Sequence, residues 1–337
     1  MEQVTYSSPA KIILFGEHFV VYGAKAISSA INLRSFVRAT RTYRPTISIR
    51  SRNLGLSAEW THEGLVHESP RNSSRRLAPL HEVIKAIVRD RRLGLSVEVW
   101  SDIPRGSGLG SSASVSVALA AATLGTLGAD VKVSDVIDYA MIAERMIHSR
   151  PSGVDVNVVA HGGIVRYVRG GGIDRLEDVS LPSLLLVHSG LPRKTGVMVE
   201  RVARFKEQKP SKFAELMVMY EGLIEEAERA LVAGDSKRVG ELMVENHHLL
   251  REIGVSNPTL DSMVKLALES GALGAKLTGG GGGGFVISLV NEEVRDSVMR
   301  SLAKKYRVLE TSVSKDGLRR EPDQSRHDRT SRALREG

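Results

Sequence analysis

Runs of alternating apolar and polar residues give the first half of the chain a mixed strand and helix pattern. Strands are predicted at residues 11–15, 37–41, 46–50 and 96–100, and strand patterning returns over 162–190. Helices are predicted over 80–91, 113–127, 134–147, 213–231, 236–253 and 260–270. The last three show apolar spacing of three and four residues, which is typical of helices with one buried face.

The order of these elements predicts two domains. We place the first at residues 1–175 and the second at residues 180–313. From residue 315 the chain carries mixed charges and almost no apolar residues, so residues 315–337 are predicted to be a disordered tail.

A glycine- and serine-rich loop follows the predicted strand 96–100 and precedes the predicted helix 113–127. Its sequence is DIPRGSGLGSSAS, over residues 102–114. Glycines at 106, 108 and 110 allow left-handed backbone and close approach of a ligand. A helix N-terminus after such a loop is suited to binding phosphate, although glycine is also used simply to make a turn. The spacing matches neither the P-loop nor the dinucleotide-binding pattern.

Composition narrows the classes of function. The 337 residues contain no cysteine, which excludes disulfides, thiolate metal sites and a cysteine nucleophile. No apolar run approaches the length of a membrane span, and we expect a cytoplasmic protein. The net charge of +8 is spread along the chain, and aromatic residues make up only 4%, so we expect no nucleic-acid partner.

Two further motifs flank the central loop in the sequence. Residues 8–23 read SPAKIILFGEHFVVYG, and residues 274–285 read GAKLTGGGGGGF. With the loop, they resemble the three ordered motifs of the GHMP small-molecule kinases, which include galactokinase, homoserine kinase and mevalonate kinase. Further similarities are PSGVD at 151–155 and NHHLLREIGVS at 246–256. Within that family, these sequence motifs most resemble those of the archaeal type of mevalonate kinase.

The resemblance implies an α+β, two-domain GHMP kinase fold. Its N-terminal domain would be mixed α/β, its C-terminal domain ferredoxin-like, and its active site would lie between them. The implied reaction is ATP-dependent phosphorylation of (R)-mevalonate to 5-phosphomevalonate, with Mg²⁺ as cofactor and a homodimer as one possible assembly. The alternatives are phosphomevalonate kinase, a sugar kinase, or diphosphomevalonate decarboxylase.

The resemblance assigns magnesium to Ser112 and Glu144, with Ser111 a close second. Magnesium prefers oxygen ligands and usually takes only one or two from the protein. The sequence alone favours a surface glutamate paired with Arg145 or Arg150, and the position of Glu144 eleven residues before Asp155, as in the family, reverses this.

The family match makes Asp155 the catalytic aspartate and Lys11 its partner. Asp155 comes shortly after the Pro-Ser-Gly segment 151–153, and because aspartate often opens a helix, it could instead be a helix cap. Lys11 stands in an otherwise apolar strand, where a lysine must either reach the surface or pair with an acid. An ammonium beside the substrate hydroxyl would favour its ionised form.

The remaining assignments also come from the resemblance. Substrate binding falls on Glu17, His18 and Thr195, although a histidine in such a loop is often structural. ATP binding falls on the central loop together with two glycines of the third motif: Pro104, Arg105, Gly106, Ser107, Gly108, Leu109, Gly110, Ser111, Ser112, Ala113, Gly280 and Gly281. Gly281 stands where the family often has alanine.

Overall fold

The computed structural model describes residues 2–90, 92–148, 152–168 and 172–322. Its strands are β1 (Gln3–Phe15), β2 (Ala26–Thr42), β3 (Ile47–Ser51), β4 (Leu56–Thr61), β5 (Gly64–Ser69), β6 (Gly94–Ser101), β7 (Ile164–Val168), β8 (Gly172–Leu176), β9 (Ser183–His188), β10 (Gly274–Thr278), β11 (Phe285–Val290), β12 (Arg307–Thr311) and β13 (Arg319–Glu321). Its helices are α1 (Ser73–Ile87), α2 (Ser111–Thr126), α3 (Val133–Ile147), α4 (Val154–His161), α5 (Thr195–Gln208), α6 (Pro210–Val232), α7 (Ser236–Glu252), α8 (Pro258–Glu269) and α9 (Glu292–Ala303).

The strands form two sheets. The first has nine strands in the order β13-β1-β2-β6-β3-β4-β5, with β7 on β2 and β8 on β7. Its strand pairs are antiparallel except β3 with β6. The second sheet has four antiparallel strands in the order β10-β11-β9-β12. This is the α+β arrangement that the resemblance implies.

Helices cover one face of each sheet. In the first sheet, α2 packs on β1 and β2 and contacts α1, α3 and α4. Apolar residues of these helices and strands form one core. A second core surrounds the four-stranded sheet and α5 to α9, and it also takes in Ile12, Leu14 and Phe19 from the first motif. The two sheets therefore meet around the first motif through continuous apolar packing.

The predicted disordered tail is wrong for residues 315–322. Here β13 pairs with β1, and the buried side chain of Arg34 reaches the same segment. The Arg34 guanidinium donates to the carbonyl oxygens of Asp316 at 3.3 Å and Gly317 at 2.6 Å. Backbone hydrogen bonding thus orders a segment that has few apolar residues of its own. Residues 323–337 lie outside the described part of the chain.

The sequence pattern also left out or misplaced several elements. Helix α1 begins at Ser73 and ends at Ile87, whereas the pattern predicts 80–91. The β4–β5 hairpin, α4, α5 and α9 were not predicted. Within the described residues, no helix is long and apolar enough to cross a membrane.

Candidate active site

The glycine-rich loop joins the end of β6 to the start of α2. Gly106, Gly108 and Gly110 all have positive φ, at 65°, 75° and 71°. The loop is fixed to β1, because the N–H of Lys11 donates to the carbonyl of Leu109 at 2.9 Å. A Cβ on Gly110 would lie 2.8 Å from Cγ of Lys11, so only glycine fits without displacement of that lysine. The N-terminus of α2 is thereby held next to Lys11.

Lys11 and Asp155 form an ion pair. Lys11 points from β1, and Asp155 lies in the first turn of α4, with Nζ 2.7 Å from Oδ1. The lysine side chain is only 7% exposed, whereas the aspartate side chain is 39% exposed. The pairing offsets the cost of burying the ammonium, and the aspartate remains open to a ligand.

Glu144 lies on α3 and is buried close to the same pair. Burial raises the pKa of its carboxyl, and a hydrogen bond with Ser112 opposes this rise. His148 approaches Oε2 of Glu144 at 3.7 Å, and Oε1 is buried without a hydrogen-bond partner. An unsatisfied carboxylate oxygen beside a hydroxyl is a fitting donor set for a hard cation.

The described residues include no group of three or more His, Asp and Glu side chains suited to hold a metal. Such a group is not required by magnesium in kinases, because phosphate oxygens and water complete its coordination. Glu144 and Ser112 therefore fit Mg²⁺ as a pair, provided that a phosphate is present.

A cavity of about 570 Å³ opens beside the ion pair. Its described lining is apolar for the most part, with a few polar side chains: Lys11, Ile13, Gly16, Val20, Val21, Ala26, Ser28, Ser152, Val154, Asp155 and Tyr167. Lys11 is the one cation among these residues. The cavity suits a small, partly apolar molecule with a hydroxyl near Asp155.

The first motif places His18 against the glycine run of the third motif and Glu17 in the interior. His18 has φ +62°, and its Nε2 donates to the carbonyl of Gly280 at 2.9 Å. Burial lowers the pKa of its imidazole. The carboxylate of Glu17, which the resemblance assigns to the acceptor, lies in the interior and pairs with Lys276. With both side chains 0% exposed, Glu17 cannot contact a ligand in this arrangement.

The second domain contributes the segment before α5. The guanidinium of Arg193 donates to Oγ1 of Thr195 at 2.9 Å and lies against Gly108, where a Cβ would collide with it. Thr195 in turn fills the space beside Gly280, whose Cβ would come within 2.9 Å of it. These close approaches explain glycine at both positions.

Sequence reasoning gave no role to Lys276, and it considered Arg193 only as a candidate partner for a phosphate on the acceptor. Burial lowers the pKa of Arg193, and the negative charge of Asp155 opposes this change. Lys276 stands inside β10, where every residue is buried. A lysine within an apolar strand is the signal that drew attention to Lys11, and it could have identified Lys276 as well.

Comparison with known proteins gives the family. The family model described as GHMP kinases N terminal domain matches residues 79–163, and the model described as GHMP kinases C terminal matches residues 227–308. The mevalonate kinase of Thermococcus sibiricus is 33% identical over 328 residues, which cover 94% of this chain and 98% of that protein. The chain belongs to the GHMP kinase family.

Solved structures of this kinase family have the same fold. The Methanococcus jannaschii mevalonate kinase aligns with a TM-score of 0.81 at 26% identity, covering 93% of this chain and 98% of that one. The L. major mevalonate kinase in complex with R-mevalonate aligns with a TM-score of 0.78 at 28% identity, covering 91% and 95%. The protein is therefore a phosphotransferase of the GHMP kinase fold.

Proposed function

We propose that this GHMP kinase transfers the γ-phosphoryl group of ATP to the primary hydroxyl of (R)-mevalonate, giving 5-phosphomevalonate. The observation that carries the proposal is the Lys11–Asp155 ion pair, which lies between the glycine-rich loop and the cavity of about 570 Å³. The named function of the relatives supports the choice of acceptor.

ATP would place its phosphates on the loop 104–113 and the N-terminus of α2. Backbone N–H groups and the helix dipole there favour negative charge. Glu144 and Ser112 would hold Mg²⁺, which neutralises phosphate charge when it is bound. The unpartnered Oε1 of Glu144 is the protein atom that we assign to the metal.

Asp155 and Lys11 would act on the acceptor hydroxyl. The exposed part of the Asp155 carboxylate accepts a hydrogen bond from the hydroxyl and orients its oxygen toward the γ-phosphorus. The Lys11 ammonium stabilises negative charge that develops on this oxygen. The hydroxyl proton passes either to Asp155 or to solvent after the phosphoryl group has been transferred. In both routes the aspartate has to be ionised to accept the hydrogen bond from the hydroxyl.

Arg193 would supply further positive charge from the second domain. Among the residues that the structure describes, no carboxylate lies within salt-bridge distance of its guanidinium. The group is nevertheless partly buried and rests on Gly108 of the phosphate loop. A desolvated guanidinium without a carboxylate partner is suited to bind phosphate.

The lining of the cavity favours mevalonate over its phosphorylated product. Ile13, Val20 and Val154 offer apolar surface for the methyl group and the carbon chain. Lys11 is the one cation in the described lining, and it is already paired with Asp155. Two additional negative charges on phosphomevalonate would therefore lack a partner there.

The test is an ADP-release assay of the purified protein with mevalonate, phosphomevalonate, galactose and homoserine. We expect kcat/KM for mevalonate to exceed that for phosphomevalonate at least about tenfold, equal to about 1.4 kcal/mol. A higher kcat/KM for any other acceptor would overturn the assignment within the family. With diphosphomevalonate and ATP as substrates, release of ADP together with inorganic phosphate and CO₂ would instead indicate the decarboxylase.

Three further properties remain proposals. A requirement for Mg²⁺ would be tested by chelation and magnesium titration. We place the enzyme in the cytoplasm, which cell fractionation would test. A homodimer is tested by light scattering of the purified protein.

A further inference from the structure

Lys276 is a fully buried cation outside the residues that contact the cavity. It lies on β10 in the second sheet, and its Nζ donates to the Glu17 carboxylate and, at 2.8 Å, to the carbonyl of Leu277. Burial lowers the pKa of Lys276 and raises that of Glu17, and each partner opposes the shift of the other. Enclosing two charges in the interior is costly, so the pair has to be explained by something other than stability alone.

The pair lies where the first motif rests on the second domain. On one side of it, the side-chain hydroxyl of Thr278 accepts from the N–H of Ile13 at 3.1 Å and donates to the carbonyl of Ile13 at 2.9 Å. On the other side, Phe19 stacks on Tyr220 with ring centroids 4.4 Å apart. Contacts with the second domain therefore hold the first motif before and after Glu17.

His18, the next residue, depends directly on this arrangement. A non-glycine residue with φ +62° and ψ −44° is in an unfavourable conformation, which persists only where its surroundings enforce it. Glu17 is anchored on one side of His18 and Phe19 on the other, while the imidazole donates to Gly280. Lys276 thus acts on His18 through Glu17.

We propose that Lys276 is a positioning residue of this kinase. Its ion pair with Glu17 fixes the backbone of His18 and joins the acceptor side of the cavity to β10 and Gly280. The proposal depends on the proposed function only for the identity of the acceptor. Loss of the pair would let the His18 loop relax away from the cavity wall formed by Gly16, Val20 and Val21.

The test compares KM for the acceptor with KM for ATP in three variants and one control. Lys276→Met leaves Glu17 unpaired, E17Q keeps a hydrogen-bonding partner for the ammonium, and K276M/E17M replaces both charges with apolar side chains. The control, Lys265→Met, makes the same substitution at a lysine on α8 that is 74% exposed and pairs with Glu269 at 3.7 Å.

We expect K276M to lower the melting temperature and to raise KM for mevalonate at least about tenfold, with KM for ATP changed less than about threefold. The double variant should regain thermal stability, since no buried charge is left alone, yet keep the raised KM for mevalonate. E17Q should raise that KM at least about threefold, and K265M should match the wild type.

A purely structural pair would behave differently. If the double variant regains both the melting temperature and the wild-type KM for mevalonate, or if E17Q has an unchanged KM, Lys276 has no positioning role. If K276M does not fold, KM for mevalonate in the double variant and in E17Q still shows whether Lys276 has a positioning role. The wild-type assay separates this proposal from the proposed function. If the wild type prefers another acceptor, the assignment to mevalonate is refuted, and the same variants then test the role of Lys276 with that acceptor.

Discussion

Replacement of Asp155 by asparagine is the most direct test of the active site. The change keeps the size of the side chain but removes a charge 2.7 Å from Nζ of Lys11. At an effective dielectric constant of about 20, two unit charges at this separation interact by about 6 kcal/mol. The aspartate side chain is 39% exposed, and we take solvent screening to reduce this to about 3 kcal/mol.

That energy predicts the loss of turnover. If the whole of it acts on the transition state, kcat falls by about 10²-fold, since about 1.4 kcal/mol corresponds to one decade. KM for ATP should change little, because the glycine-rich loop is attached to β1 by the backbone hydrogen bond from Lys11 to Leu109, which the substitution does not touch.

The measurement is steady-state ADP release with mevalonate and ATP varied separately. Asp174→Asn is the matched control, because Asp174 on β8 also pairs with a cation, Arg166, at 2.8 Å, but is 61% exposed. We expect the control to stay within about threefold of wild-type kcat, as exposed ion pairs contribute little. A D155N variant with kcat within that same range, or with a defect confined to KM for ATP, would refute the catalytic role.

Three other predictions address the metal, pH and the C-terminal strand. Glu144→Gln should lower kcat and raise the magnesium concentration needed for half-maximal activity, and an unchanged magnesium titration would remove Glu144 from the metal site. Burial lowers the pKa of His247 to about 4, and its Nδ1 already accepts from the N–H of Leu277 at 3.4 Å, so the imidazole is neutral in the fold. The unfolded chain binds a proton at this histidine below about pH 6.5, whereas the folded protein does so only near pH 4. The free energy of unfolding therefore falls by about 3 kcal/mol as the pH is lowered from 6.5 to 4. Urea unfolding at several pH values should show a flatter dependence for H247Q, whereas a wild type that gains stability on acidification would contradict this. Arg34→Met should lower the free energy of unfolding by at least about 3 kcal/mol and expose the C-terminal segment to protease, with Arg320→Met as an exposed control.

The two residue pairs of the candidate site could be predicted from the sequence only through the resemblance. Lys11 is 144 residues before Asp155, and Ser112 is 32 residues before Glu144. Periodicity places each residue on a strand, loop or helix, yet it does not specify which elements become neighbours. Helix α2, which packs on β1 and also on α3 and α4, makes both pairs possible. The local signals, such as a lysine in an apolar strand, show only that a partner is required.

The burial of Glu17 and the order of residues 315–322 could not be predicted for one physical reason. Glu17 is assigned to the acceptor site through the resemblance, and the C-terminal segment is interpreted from its own composition, but the partners of both lie far away in the sequence. Glu17 is neutralised by Lys276, and residues 315–322 are ordered by Arg34 and β1. A buried charge can be satisfied by a single distant side chain, which composition does not reveal.

The charges of the site are divided between the two domains in a way that bears on mechanism. The first domain holds the Lys11–Asp155 pair and Glu144, and the second brings Arg193 to the phosphate loop. A phosphoryl group in transfer would lie among these groups, so full stabilisation of its charge requires the two domains to be correctly positioned relative to each other. Lys276 joins the domains on the acceptor side of the cavity, through interior contacts that do not depend on a bound ligand. The acceptor side of the cavity is therefore built into the fold, whereas the phosphate side would be completed by ATP and, in the proposed function, by Mg²⁺.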